Sequence, residues 1–118
     1  MSFTSLDDLK RALEQDPGHI DFADVIALVD AQFSFTATAF ANGELQNAAG
    51  QNNGSCKLLA LGQYLALDKD QTLALFGHYY RDEVLGNPDG SDHGNIRNFM
   101  RTGHAGVAFA QFPLLAKA

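Results

Sequence analysis

Apolar residues recur along the first third of the chain with helical spacing. Leu6, Leu9 and Leu13 share one helical stripe, Ser5 and Asp8 form a capping arrangement with Asp in place of Glu, and Asp16-Pro17-Gly18 ends the helix. A second helix opens at Asp21 and aligns Phe22, Val25, Ile26, Val29 and Phe33, leaving Asp24 and Asp30 toward solvent. From Phe33 the period changes to two. Phe33, Phe35, Ala37 and Ala39 alternate with Ser34, Thr36 and Thr38, and Asn42-Gly43 supplies a turn, which predicts a hairpin over 33–47. Between Asn47 and Ser55 there is little to bury, so a loop is expected, of a length that often carries function.

Three further helices follow from the same reading. Ser55 caps one with Leu58, Leu61 and Leu65 on its stripe, running to about Leu67. Asp68 and Gln71 make a capping box for the next, which buries Leu73, Phe76, Tyr80 and Val84 and ends at Gly86-Asn87-Pro88. Asp92 caps the last, with Ile96, Phe99 and Met100 inward and Gly103 at its stop. Gly106 to Phe109 reads as a further strand, near 106–110. The pattern gives an α+β fold dominated by about five helices packed with a small antiparallel sheet. No repeat or linker divides it, so residues 1–118 are expected to form a single domain.

Composition agrees with a folding chain. Of 118 residues, 46% are hydrophobic and 19% charged, with nine Phe and three Tyr, far from the signature of disorder. The net charge is −6, concentrated in residues 1–30, where seven acids face only Lys10 and Arg11. Such a chain is a poor partner for nucleic acid, whose affinity rests on Lys and Arg meeting phosphates. No apolar run approaches the roughly 20 residues of a membrane helix, and no basic segment followed by an apolar stretch suggests a cleavable signal peptide. Neither membrane nor nucleic acid is therefore an expected partner, and synthesis and initial residence in the cytosol are expected. The lone Cys56 fits a reducing compartment.

Candidate chemistry centres on Asn52-Asn53-Gly54-Ser55-Cys56-Lys57, a loop entering a helix. A helix start lowers a thiol's pKa, and Lys57 adds to this, so Cys56 is a candidate nucleophile with His93 or His78 as base and Asp92 or an Asn as orienter. The competing reading is a small hydrophobe packed at a helix start. Asn52, Asn53, Gly54 and Ser55 also suit an anion cradle, with Lys57 or Arg97 meeting a phosphate or carboxylate, although the chain lacks a P-loop ending. Tyr79, Tyr80, Arg81, Asp92, His93, Asn95, Arg97 and Asn98 either line a pocket or form an internal network, the network being the simpler reading. His19, His78, His93 and His104 are scattered and fit no metal motif, and the His78/Asp82 pair at helical spacing reads as a surface contact. No metal site and no cofactor are expected.

Several ordered strings resemble the HopJ type III effector family: Phe35-Thr-Ala-Thr-Ala-Phe-Ala-Asn-Gly43, Ala49-Gly-Gln-Asn-Asn-Gly-Ser-Cys-Lys57, Gln71-Thr-Leu73, Phe76-Gly-His-Tyr-Tyr-Arg81 and Asp92-His-Gly-Asn-Ile-Arg-Asn-Phe-Met100. The resemblance spans roughly residues 20–110. Ala37 stands where the family often has Pro, and His104 stands where Gly-Trp is common. The resemblance implies delivery into a host cell by a type III system, and no settled biochemical activity comes with it. Ser2, Thr4 and Ser5 fit such a secretion signal, whereas Asp7 and Asp8 within a helix do not. The reading that needs least is a binding protein acting by contacts on a host or bacterial partner. The alternatives are a Cys56-dependent hydrolase or transferase and a cytosolic binder of anionic ligands.

Overall fold

A computed structural model describes residues 3–117; Ser2, which fits the secretion signal that the resemblance implies, lies outside them. Helix α1 (Leu6–Gln15) begins where Ser5 Oγ accepts from Asp8 N at 3.2 Å, and it buries Leu9, Ala12 and Leu13. A short 3-10 turn (Pro17–His19) leads to α2 (Phe22–Gln32), which buries Val25, Leu28 and Val29. Asp21 stands at the start of α2 but makes no side-chain cap, and Asp24 is half-buried, whereas Asp30 is exposed as expected.

Strands β1 (Phe33–Phe35), β2 (Phe40–Asn42), β3 (Leu45–Asn47), β4 (Val107–Phe109) and β5 (Leu114–Ala116) form two antiparallel sheets. The hairpin expected over 33–47 is present as β2–β3 with Phe40 opposite Asn47, and β4 lies on the other side of β2 with Phe109 opposite Phe40. β1 does not join that hairpin. It pairs with β5, Phe33 opposite Ala116 and Phe35 opposite Leu114. Between the two sheets the chains stay in touch through Thr36 N to Pro113 O and Ala110 N to Ala39 O, both 2.9 Å. The alternation slips by one residue there. Phe33 and Phe35 point inward, Ala37 and Ala39 are exposed, and Thr38, Phe40 and Asn42 are buried. A slip of one residue moves every following side chain to the opposite face, and here it carries Asn42 into the interior.

Helix α3 (Asn53–Tyr64) runs through the centre with Cys56, Leu58, Leu59, Ala60, Leu61 and Gly62 all buried. It starts three residues earlier than a cap at Ser55 implies, because Asn52 in the left-handed region (φ 53°) turns the chain into it. Asp68 and Gln71 form the expected reciprocal capping box of α4 (Lys69–Ala74). The single helix expected from Asp68 to Val84 is instead broken at Gly77, where φ is +61°. A built Cβ there would come within 2.6 Å of Phe22 N. The chain resumes as a π-helical turn (Tyr79–Val84), closed by Leu85 N to Tyr80 O at 3.0 Å. α5 (Gly94–Thr102) is entered through His93, also left-handed (φ 51°), rather than through a cap by Asp92, and it stops at Gly103. One continuous cluster from Leu9 to Leu114 joins these elements, and a radius of gyration of 13.3 Å is close to the ~13.5 Å of a compact chain this long. Among the described residues no helix is long and apolar enough to cross a membrane.

Candidate functional site

The starts of α3 and α5 open on the same cleft, of about 470 Å³. Asn52, Gly54 and Ser55 contribute from α3, and His93, Gly94, Asn95 and Ile96 from α5. Phe22, Phe76, Tyr79 and Leu45 complete the walls. The rings pack on each other: Phe22 meets Tyr79 edge-on at 5.0 Å, and Tyr79 stands 4.2 Å from His78 and 5.3 Å from His93. Gly54 lets the Phe22 ring close against the start of α3, since a Cβ there would lie 2.9 Å from Phe22 Cζ and displace the ring.

Five asparagines, three of them buried, hold the two helix starts in place. Asn42 Nδ2 donates to the backbone O (2.7 Å) and Oδ1 (3.0 Å) of Asn95. Asn47 Nδ2 donates to Asn95 Oδ1 at 3.2 Å, and Asn47 Oδ1 accepts from Asn95 Nδ2 (3.1 Å) and Asn52 Nδ2 (2.8 Å). Asn98 Nδ2 adds a bond to Asn42 O at 3.1 Å. Because the side chains of Asn52 and His93 do not cap their own helices, the first-turn N–H groups of α3 and α5 have no side-chain cap. Ser5 and Asp68 supply such caps to α1 and α4. Two uncapped helix starts put partial positive charge at the cleft.

The sequence candidates divide between this cleft and other tasks. Asn52, Gly54, Ser55, Tyr79, His93 and Asn95 line it. Cys56 is 1% exposed, and burial pushes its thiol up to about 11, the opposite of the activated thiolate that its place in the first turn suggested. The histidines are engaged elsewhere: His19 with Asp16, His78 and His93 with Glu83, and His104 with Leu67 O. Lys57 leaves the expected cradle, pairing with Asp30 at 2.8 Å and lying over the Phe35 ring at 5.0 Å. Arg97 braces the loop before α5, with Nε to Asp92 O at 2.6 Å, Nη2 to Asp92 Oδ1 at 2.7 Å and Nη1 to Asn87 O at 3.0 Å. That bond from Arg97, with the charge of His93 adding to it, holds the Asp92 carboxyl below its usual range. Arg81 Nη1 donates to Ile20 O at 2.7 Å. Tyr80 is half-buried, and burial followed by the Asp70 charge raises its phenol. Asn53 is exposed, and Asn98 belongs to the asparagine network.

Phe22, Leu45, Phe76, Asn42 and Asn47 were missing from the sequence-derived set. The first three read as ordinary apolar positions, and only their placement at a cavity distinguishes them. Asn42 stands two residues after Phe40 in a strand, so strict alternation from Phe40 would have flagged it as inward.

The sequence spacing gave no metal motif, yet folding gathers Glu83, Asp92 and His93 so that one donor atom of each lies within 4.8 Å of the others. His93 Nε2 is 2.8 Å from Glu83 Oε1 and 3.8 Å from Asp92 Oδ2. His78 Nε2 is 3.8 Å from Glu83 Oε2. The expected His78/Asp82 contact is replaced by this one because the π turn favours partners five apart.

Fold and cleft together define a small helix-dominated α+β protein with an aromatic-walled cleft between two helix starts. The chain belongs to the HopJ type III effector family, whose domain matches residues 6–114. It is similar to the crystal structure of the unknown-function protein VPA0580, with 46% identity and a TM-score of 0.94 over 99% of this chain and 97% of that one. Comparison with curated proteins finds no match. The strings 52–57, 76–81 and 92–100, which carry the family resemblance, surround the cleft.

Proposed function

We propose that the chain works as a single binding unit, acting by contact rather than turnover, and that the cleft between α3 and α5 is its recognition site. The observation that carries this reading is the meeting of two uncapped helix starts with a wall of aromatic rings around one cavity. Helix starts favour an anionic group, and aromatic walls favour a flat or apolar body. The fitting ligand is therefore an aromatic or apolar group bearing a phosphate or carboxylate, either free or displayed by a partner protein. Membership of a type III effector family fits delivery into a host cell, where such a group on a host target would be engaged. The buried thiol of Cys56, with its raised pKa, favours this over a Cys-dependent hydrolase or transferase.

The test is a thermal-shift and NMR titration of the chelator-treated protein against aryl phosphates, aryl carboxylates and their uncharged analogues. Anionic aryl compounds should raise the unfolding temperature and shift the amides of Gly54, Ser55, Gly94 and Asn95. Tyr79→Ala should weaken them by roughly tenfold, the size expected for loss of one aromatic contact. An absence of shifts across the panel, or shifts that map away from both helix starts, would rule the cleft out.

A further inference from the structure

Among the described residues no Lys or Arg lines the cleft, since Lys57 and Arg97 are committed to Asp30 and to the loop before α5. At its rim, however, His93 belongs to both the cleft and the Glu83–Asp92–His93 cluster. Asp92 is held by one oxygen and offers the other, and both oxygens of Glu83 face imidazoles. Asp92 Oδ1 receives Arg97 at 2.7 Å while its Oδ2 stands 3.8 Å from His93 Nε2. Glu83 directs Oε2 toward His78 and Oε1 toward His93. Around a tetrahedral zinc ion with bonds of about 2.1 Å, donor atoms stand about 3.4 Å apart. The 2.8 and 3.8 Å separations from His93 bracket that figure and all three donors lie within 4.8 Å of one another, so the set closes around an ion by side-chain shifts alone.

We propose that Glu83, Asp92 and His93, with His78 as an additional imidazole from the preceding turn, form a binding site for a divalent first-row transition ion of the zinc type. Mixed imidazole and carboxylate donors suit such ions, whereas Ca²⁺ asks for six or more oxygens. The two carboxylates supply the charge that a divalent ion neutralises. Cys56, buried in the core, takes no part. The ion's role at the cleft, to supply the positive charge that no side chain there provides, rests on the proposed binding function; the site itself does not.

The experiment uses the full chain, freed of metal and titrated with Zn²⁺ against a chromophoric chelator, and with Co²⁺ monitored by visible absorption. One equivalent should bind, with ligand-field bands and no thiolate charge-transfer band. Affinity should fall at least ~10-fold in His93→Ala and in Glu83→Gln, and less in His78→Ala. It should be unchanged in His19→Ala, which removes a separate exposed His–Asp pair. Glu83 is exposed, so Glu83→Gln keeps the test decisive if His93→Ala fails to fold. Binding that survives both substitutions, a thiolate band, or no saturable binding of either ion overturns the site. Since the readout is metal alone, its failure leaves the ligand titration standing, and that titration, run with chelator, can fail without touching this site.

Discussion

Cys56 stands in the first turn of α3, where a helix dipole favours a thiolate, yet its side chain is 1% exposed and its thiol is pushed up to about 11. Desolvation outweighs the dipole because the sulfur lies within the leucine-rich core and Lys57 turns away to Asp30. At pH 8 a rise from 9.0 to about 11 lowers the thiolate fraction about 100-fold. Alkylation of the native protein should be slower than that of the denatured chain by at least that factor, and His93→Ala should leave the rate unchanged. A native rate near the denatured one would return Cys56 to consideration as a nucleophile. The sign for stability follows from the same shift. The folded thiol keeps its proton longer than the unfolded one, so its contribution is complete below 9.0 and is lost as pH rises toward 11.

His104 shows a different compensation at the same scale. Its ring takes an edge-on position 5.1 Å from Phe99, and Nε2 donates to Leu67 O at 2.9 Å. The smaller ring thus still serves as a packing surface against α5, where a larger aromatic is common in the family. Nδ1 is buried with no hydrogen-bond partner.

Among the elements, the break at Gly77 sets the shape of the cleft. It ends α4 and lets Ile20 to Phe22 pass against the turn. It also starts the π-helical segment from which Tyr79 and Glu83 project. Gly77→Ala would require a left-handed alanine with its Cβ 2.6 Å from Phe22 N. Denaturant unfolding should show a loss of about 1–3 kcal/mol. Gly18→Ala, where nothing lies within 4 Å, should stay within about 0.5 kcal/mol of the parent. Equal effects at the two positions would mean that the break is not strained in this way. The asparagine network is the matching device on the other side of the cleft, tying the β2–β3 hairpin to both helix starts. The network joins these elements through five side-chain bonds, and only Asn42 Oδ1 among its buried amide atoms lacks a partner.

For the whole molecule, the pairing of β1 with β5 closes the chain, bringing residues 33–35 to residues 114–116. Leu114 is 6% exposed and anchors β5 in the common core. Leu114→Ala should cost about 2–5 kcal/mol by equilibrium unfolding, as buried leucine truncations do. A change within the surface range of about 0.5 kcal/mol would show that β5 is dispensable to the fold.

Local signals in the sequence determined much of this architecture. The 3.6-residue stripes of α1, α2 and α3, the capping box at Asp68, the hairpin turn after Asn42 and the stop at Gly103 each depend on residues within a few positions of one another. The loop into α3 and the polar set near α5 were also legible as the candidate region, and six of their residues line the cleft. What only the tertiary structure decided involves groups far apart in sequence. Examples are the partner of β1, the phase slip that buries Asn42, and the chain segment against which Gly77 must break a helix. The chemistry of single residues was decided there too. Burial overruled the helix dipole at Cys56, Asp30 drew Lys57 away, and the π turn brought Glu83 to His93. Helix periodicity and caps are short-range, whereas desolvation and ion pairing depend on which distant surfaces close over a side chain, and one-dimensional spacing does not carry that information.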